Sequence, residues 1–398
     1  MQGVSLLVLN LDQSIKEIVG AAVAEDVLKA TIDELSCATP SQSVEPHGRH
    51  QVDYYDELRA NVEKSVTRFM REPDRWTSFA SLLMKSISFH VYRQKAAVST
   101  TSPFADTKLD NSKEEQAKLP IVDLPRTEYK RPYVPQLDGF DHAELSCVED
   151  QRMKVSVSHQ YPWVCIAQQE LNEGVSLPCY FGMDVVVFTA KTNQYTPTIT
   201  EFLTSFKDSF TPWEWERIQN RSTQPPTSWL RRTHENPRDD NEKLREFFLR
   251  WAMKEAYTKA LGLGLGLDFD SFETRLRGID EGPPVIPAEE GDTIWRSISK
   301  LSSSECNQVS FTGTIRRVKP PSTSLSASQI ENGPKETDAG ESWEFIFVPL
   351  NPVGEEMNCH NTACSCICRG PAAESTTVEV QTTTLKMLVN RHGGESLN

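Results

Sequence analysis

Hydrophobic and polar positions along the chain change period several times, and the changes predict a set of mixed elements. Val4 to Leu9 is a short apolar run at the start, read as a first β-strand. Its flanks lack the basic lead and small-residue cleavage site of a signal peptide. Asp56 to Arg68 and Trp76 to Tyr92 repeat at helical spacing, the second through Phe79, Leu82, Leu83 and Ile87. Lys154 to Ala167 reads as a strand pair: Val155 and Val157 alternate with Ser156 and Ser158, then Trp163 to Ile166 follows a short turn. Tyr180 to Phe188, Phe272 to Leu276 and Trp343 to Val348 are further strand candidates, and Glu242 to Leu261 is the strongest helix. Helices mixed with short strands, without a regular βαβ rhythm, predict an α+β fold.

Four tracts break these periods. Residues 36–51, 97–118, 221–243 and 320–340 are rich in Ser, Pro, Gly or charge and read as surface insertions. A length of 398 residues with 38% hydrophobic positions suits two or three domain-sized units. The net charge of −14 argues against general affinity for nucleic acid or anionic lipid, so a phosphate-bearing ligand needs a local cluster of bases or a metal. Nine scattered cysteines fit reduced thiols, and no stretch approaches the roughly 20 apolar residues of a membrane span. A soluble, cytoplasmic protein is expected.

Several residues carry possible chemistry, each with a plain alternative. Glu255 lies in line with the apolar stripe of the Glu242 to Leu261 helix, with Lys259 one turn on. Judged on this helix alone, a surface Glu–Lys pair is the favoured account of both. Asp184 interrupts an apolar strand just after Gly182, either accepting hydrogen bonds from a turn or sharing a hard cation such as Mg²⁺ with Glu255. Ser158, His159 and Gln160 sit at the tip of the strand pair, and Arg126, Lys130 and Arg131 form a compact base cluster. Gly262, Gly264 and Gly266 lack the context of a phosphate loop and read as a helix end and turn. The cluster Cys359, His360, Cys364, Cys366 and Cys368 lacks the paired knuckles of structural zinc, so a cysteine-rich strand is favoured over a metal site.

In order and company these motifs resemble the 4′-phosphopantetheinyl transferases of the surfactin-synthetase-activating type, closest to the eukaryotic aminoadipate-semialdehyde-dehydrogenase group. Arg126 to Pro132 stands where that family has a Gly-Lys-Pro-like element; Ser158–His159–Gln160, Gly182–Met183–Asp184 and Phe210–Thr211–Pro212–Trp213–Glu214–Trp215 follow. The helix Trp251–Ala252–Met253–Lys254–Glu255–Ala256–Tyr257–Thr258–Lys259 resembles the Trp-x-x-Lys-Glu-x-x-x-Lys signature. The likeness spans roughly residues 60 to 350.

The resemblance implies a monomeric pseudo-dimer of two similar α+β halves, here 1–175 and 176–398, with coenzyme A in the cleft between them. It implies transfer of the 4′-phosphopantetheine arm of coenzyme A to a serine of an apo carrier protein, with Mg²⁺ and release of 3′,5′-ADP. Asp184 and Glu255 would hold the metal, and Glu255 would also take the serine proton. Lys259 would meet the diphosphate, His159 and Ser158 the 3′-phosphate, and Arg131, Arg126 and Arg75 the nucleotide. Val186 replaces the third acid of bacterial members, leaving Gln160 or water to complete the sphere. A non-catalytic coenzyme A or carrier-protein binding module is the alternative, and a metal-dependent nucleotide hydrolase a third; Glu255 and Lys259 favour catalysis.

Overall fold

The structure is a computed structural model. It describes residues 4–19, 24–37, 61–100, 120–127, 131–135, 153–171, 180–190, 198–219, 240–280, 294–299, 308–319, 342–350, 363–370 and 376–392. Most of the four insertion tracts lies outside these residues, as do Lys130, Cys359 and His360. The tracts are shorter than composition predicts: the helix Glu72–Thr100 runs into the second, and the helix Asp240–Leu261 begins inside the third.

The chain divides into two units. One comprises Gln2–Glu128, Pro132–Glu173 and Glu379–Asn398; the other comprises Tyr129–Arg131 and Gly174–Val378, together with Met1.

In the first unit a four-stranded sheet has the order β2 (Met153–Gln160), β3 (Trp163–Glu170), β1 (Val4–Asn10) and β9 (Val378–Thr383). β3 pairs antiparallel with both β1 and β2. The helix Glu72–Thr100 supplies much of the core through Trp76, Phe79, Leu82, Leu83 and Ile87, all buried, the spacing that predicted the helix. Against them lie Leu9, Val164 and Ile166, each almost fully removed from water. Side chains of this size contribute about 1.5–3 kcal/mol apiece when fully buried.

The second unit holds a five-stranded sheet in the order β4 (Tyr180–Val187), β8 (Ala363–Gly370), β7 (Trp343–Leu350), β6 (Val309–Arg317) and β5 (Phe272–Leu276). Every neighbouring pair is antiparallel, which agrees with the expected α+β class. The helix Asp240–Leu261 packs Phe247, Ala252 and Ala256 into one core with Val186, Phe345 and the cysteines of β8. Cys364, Cys366 and Cys368 share a face of β8, as their alternation predicts, and all three are buried.

Two glycines set how this helix lies. A Cβ on Gly182 of β4 would stand 2.2 Å from the Ala256 carbonyl oxygen and 2.3 Å from the Ala260 amide nitrogen. Only a residue without a side chain lets the helix backbone come this close to the strand. Gly262 ends the helix at φ +72°, with its N–H donating to Lys259 O and that of Leu263 to Thr258 O. These are the paired bonds of a Schellman stop, which places a glycine in the left-handed region.

Periodicity misses β6, β9 and most short helices. The helix Ile199–Ser205 depends on a capping box between Thr198 and Glu201, not on a long apolar stripe. Helices this short are marginal alone and are decided by caps and packing.

Candidate active site

The close approach at Gly182 brings three charged side chains together. Asp184, two residues along the same face of β4, is buried, and Lys259 Nζ lies 2.7 Å from its Oδ1. Glu255 is one helical turn before Lys259. Burial pushes the Glu255 carboxyl above its ordinary pKa, and the negative charge of Asp184 pushes it further, while Lys259 pulls it back. The lysine thus meets the strand aspartate as well as acting on its own helix's glutamate, so an isolated surface Glu–Lys pair does not describe it.

A buried and a half-buried carboxylate this close call for more positive charge than one ammonium. Their oxygens are hard donors. Cys366, a soft donor, is paired with Asp184 across the strands; burial, followed by the neighbouring cysteines and Asp184, pushes its thiol well above the ordinary range and keeps it protonated. Among the described residues no group of three or more His, Cys, Asp or Glu side chains is arranged to hold a metal. Two carboxylates still fit Mg²⁺, which usually keeps several waters and completes its sphere with substrate phosphates.

The helix carrying Glu255 and Lys259 is anchored by buried ions. Lys254 Nζ lies 2.8 Å from Glu214 Oε2 and 2.6 Å from the carbonyl oxygens of both Phe269 and Phe272. Its three donors therefore have three acceptors. Burial lowers the Lys254 pKa and Glu214 pulls it back up; the complete set of acceptors marks it as an ammonium. Glu214 also accepts from the Thr211 and Thr274 backbone N–H groups at 3.1 and 3.2 Å. One turn earlier, buried Arg250 donates to Asp280 Oδ1 and Glu246 Oε1, each at 2.9 Å.

These anchors went unassigned in the sequence, although one signal was present. Thr211-x-x-Glu214 has capping-box spacing, and Glu214 N–H does donate to Thr211 Oγ1 at 3.2 Å. The partner of Glu214 sits forty residues on, beyond the reach of spacing rules.

The other predicted residues are placed as follows. Arg131 belongs to the same unit as Asp184, and its Nε lies 3.3 Å from where a Cβ on Gly262 would stand. In the sheet unit of β1–β3, Ser158 is buried near the end of β2, and His159 beside it is exposed. Arg126 is exposed and forms an isolated antiparallel bridge with Pro132. Arg75 donates to the carbonyls of Phe69 and Met70 and pairs with Glu25 at 2.9 Å, a helix-end and inter-helix role within its unit.

Comparison with known proteins places these features in a family context. The chain is 27% identical over 145 residues to a phosphopantetheinyl transferase of Thraustochytrium sp. (strain ATCC 26185 / S-3), covering 36% of this chain and 39% of the relative. It is 63% identical over 30 residues to the 4′-phosphopantetheinyl transferase pptA of Paxillus involutus, or 8% of this chain and 11% of that one. Over 68 residues it is 38% identical to a holo-[acyl-carrier-protein] synthase of Anaplasma phagocytophilum (strain HZ), 17% of this chain and 55% of that one. The chain thus spans between about a tenth and about half the length of these relatives. The family model described as the 4′-phosphopantetheinyl transferase superfamily matches residues 180–306, which include Asp184, Glu214, Lys254, Glu255 and Lys259. Over that segment the chain is similar to the 4′-phosphopantetheinyl transferase superfamily.

Proposed function

We propose that this protein transfers the 4′-phosphopantetheine arm of coenzyme A to a serine of an apo carrier protein or carrier domain, releasing 3′,5′-ADP. The observation that carries the proposal is the meeting of Asp184, Glu255 and Lys259 inside the matched segment. The names of the relatives support the reaction class, and the sequence motifs favour the surfactin-activating, eukaryotic-like subtype.

Asp184 and Glu255 are the proposed holders of Mg²⁺, which when bound would neutralise diphosphate charge. Lys259 is positioned by Asp184 to meet a phosphoryl oxygen. Glu255, held partly desolvated and beside a like charge, is the proposed base for the serine proton. Attack at phosphorus then forms the serine–phosphate bond as the bond to 3′,5′-ADP breaks, so nucleophile and leaving group must be held in line. Ser158, His159, Arg131, Arg126 and Arg75 are assigned to the coenzyme's nucleotide end on the resemblance. No helix among the described residues is long and apolar enough to cross a membrane, and a cytoplasmic, monomeric enzyme is part of this proposal.

The test is direct. Protein, Mg²⁺, coenzyme A and several unrelated apo carrier proteins are incubated, and intact mass is read for one added phosphopantetheine. Modification of the carrier serine is expected. Coenzyme A binding without modification of any carrier would favour the non-catalytic binding module instead.

A further inference from the structure

A cavity lies wholly within the unit of β1, β3 and β9, between that sheet and the helices Glu72–Thr100 and Leu385–Arg391. Its volume is about 260 Å³. Leu7, Ile87, Val91 and Leu388 give it apolar patches in a lining that is otherwise largely polar, through Ser88, Gln168 and the β9 residues Gln381, Thr382 and Thr383. Arg391 supplies the one cation among the described lining residues, and no carboxylate lines it there. That charge balance is notable on a chain of net charge −14.

The second observation is independent of the cavity's shape. Gln168 Nε2 is buried and has no hydrogen-bond partner among the described residues. A buried amide donor without an acceptor is costly, and native folds rarely keep one without reason. β3 holds Gln168 in place through its register with Ser5, which lines the same cavity. Water alone would satisfy the amide yet would leave the apolar patches wet. A molecule with an apolar body, an acceptor oxygen and a negative charge satisfies patches, amide and guanidinium together.

We propose that this cavity is a second ligand site, for a small organic acid: the apolar body packs against Leu7, Ile87, Val91 and Leu388, an oxygen accepts from Gln168 Nε2, and Arg391 holds the negative charge. The site is separate from Asp184, Glu255 and Lys259 in chain and chemistry, and it stands whether or not the transferase proposal does.

The full-length chain is titrated with 4-methyl-2-oxopentanoate by calorimetry and saturation-transfer NMR, alongside the neutral amide of that acid and inorganic phosphate. The acid is expected to bind saturably at one site. Gln168→Leu and Arg391→Gln should each weaken it by about tenfold, the scale of a lost hydrogen bond to a charged or buried partner. The neutral amide should bind more weakly than the acid, and phosphate should not compete. Absence of saturable binding, which leaves a water-filled cavity, overturns the proposal. Binding unchanged in both variants, or phosphate binding as tightly as the acid, overturns it too. Thermal unfolding of each variant at the parent midpoint establishes that any loss of binding is local.

Discussion

Replacing Gly182 by alanine adds a single methyl group, yet it separates the two backbones that form the candidate site. The new Cβ would meet Ala256 O at 2.2 Å, Ala260 N at 2.3 Å and Ala260 Cα at 2.9 Å. All three atoms are main chain, so no flexible side chain can swing aside. Ordinary carbon contacts lie at about 3.5–4.0 Å, so strand and helix must part by more than about 1 Å locally. Overpacking of a core costs about 1–3 kcal/mol, and rigid main chain on both sides puts this change at the upper end, about 3 kcal/mol. The same displacement moves Asp184 away from Lys259 and Glu255, and a misplacement of about 1 Å at a reacting centre costs about 10²-fold in rate. The assay pairs a urea unfolding midpoint with the rate of phosphopantetheine incorporation into an apo carrier. Gly278→Ala is the control: its φ is +81° but no described residue lies within 4 Å of the new Cβ. It should lose only about 1 kcal/mol and keep its activity. A Gly182→Ala protein with the parent midpoint and parent rate would refute the claim that this contact sets the site.

Four further outcomes are expected. Glu255→Gln should abolish carrier modification while circular dichroism stays native; full activity would remove Glu255 from both proposed roles. Lys254→Met should lower unfolding free energy by about 3–5 kcal/mol, because Glu214 is left buried and unpaired, and adding Glu214→Leu should restore much of that loss in the same denaturation measurement. For Lys259→Ala, the rate of transfer should fall at least about 10²-fold at saturating coenzyme A, since a charge aimed at the phosphoryl group is lost. His159→Ala should raise the KM for coenzyme A but leave that for 3′-dephospho-coenzyme A unchanged; an equal rise for both substrates would place the histidine elsewhere than at the 3′-phosphate.

Local pattern alone was enough for the elements with long or strict periods. Phe79, Leu82, Leu83 and Ile87 marked a helix, and they are buried along it. The alternation around Val155 marked β2, and that of Cys364, Cys366 and Cys368 put three thiols on one face. Such readings succeed because side-chain direction in a helix or strand follows directly from residue spacing. The short helix Pro212–Gln219 was illegible because it carries no long stripe of its own, and the strand β6 because its residues are mostly half-buried and show no strict alternation.

The site divides along the same line. Sequence by itself determined that Asp184 would interrupt an apolar strand and that Glu255 and Lys259 would share one side of a helix. Read singly, these residues favoured a turn aspartate and a surface ion pair. Tertiary structure added what those readings lacked by bringing Ala256 and Ala260 against Gly182, seventy-four and seventy-eight residues away in the chain, so that Lys259 reaches Asp184 at 2.7 Å. It also decided that Lys254, beside Glu255 in sequence, is a buried anchor for Glu214 and two carbonyls. The physical reason is common to both. A spacing rule fixes which face of its own element a side chain occupies, whereas the charge that meets it is supplied by chain folded back from elsewhere.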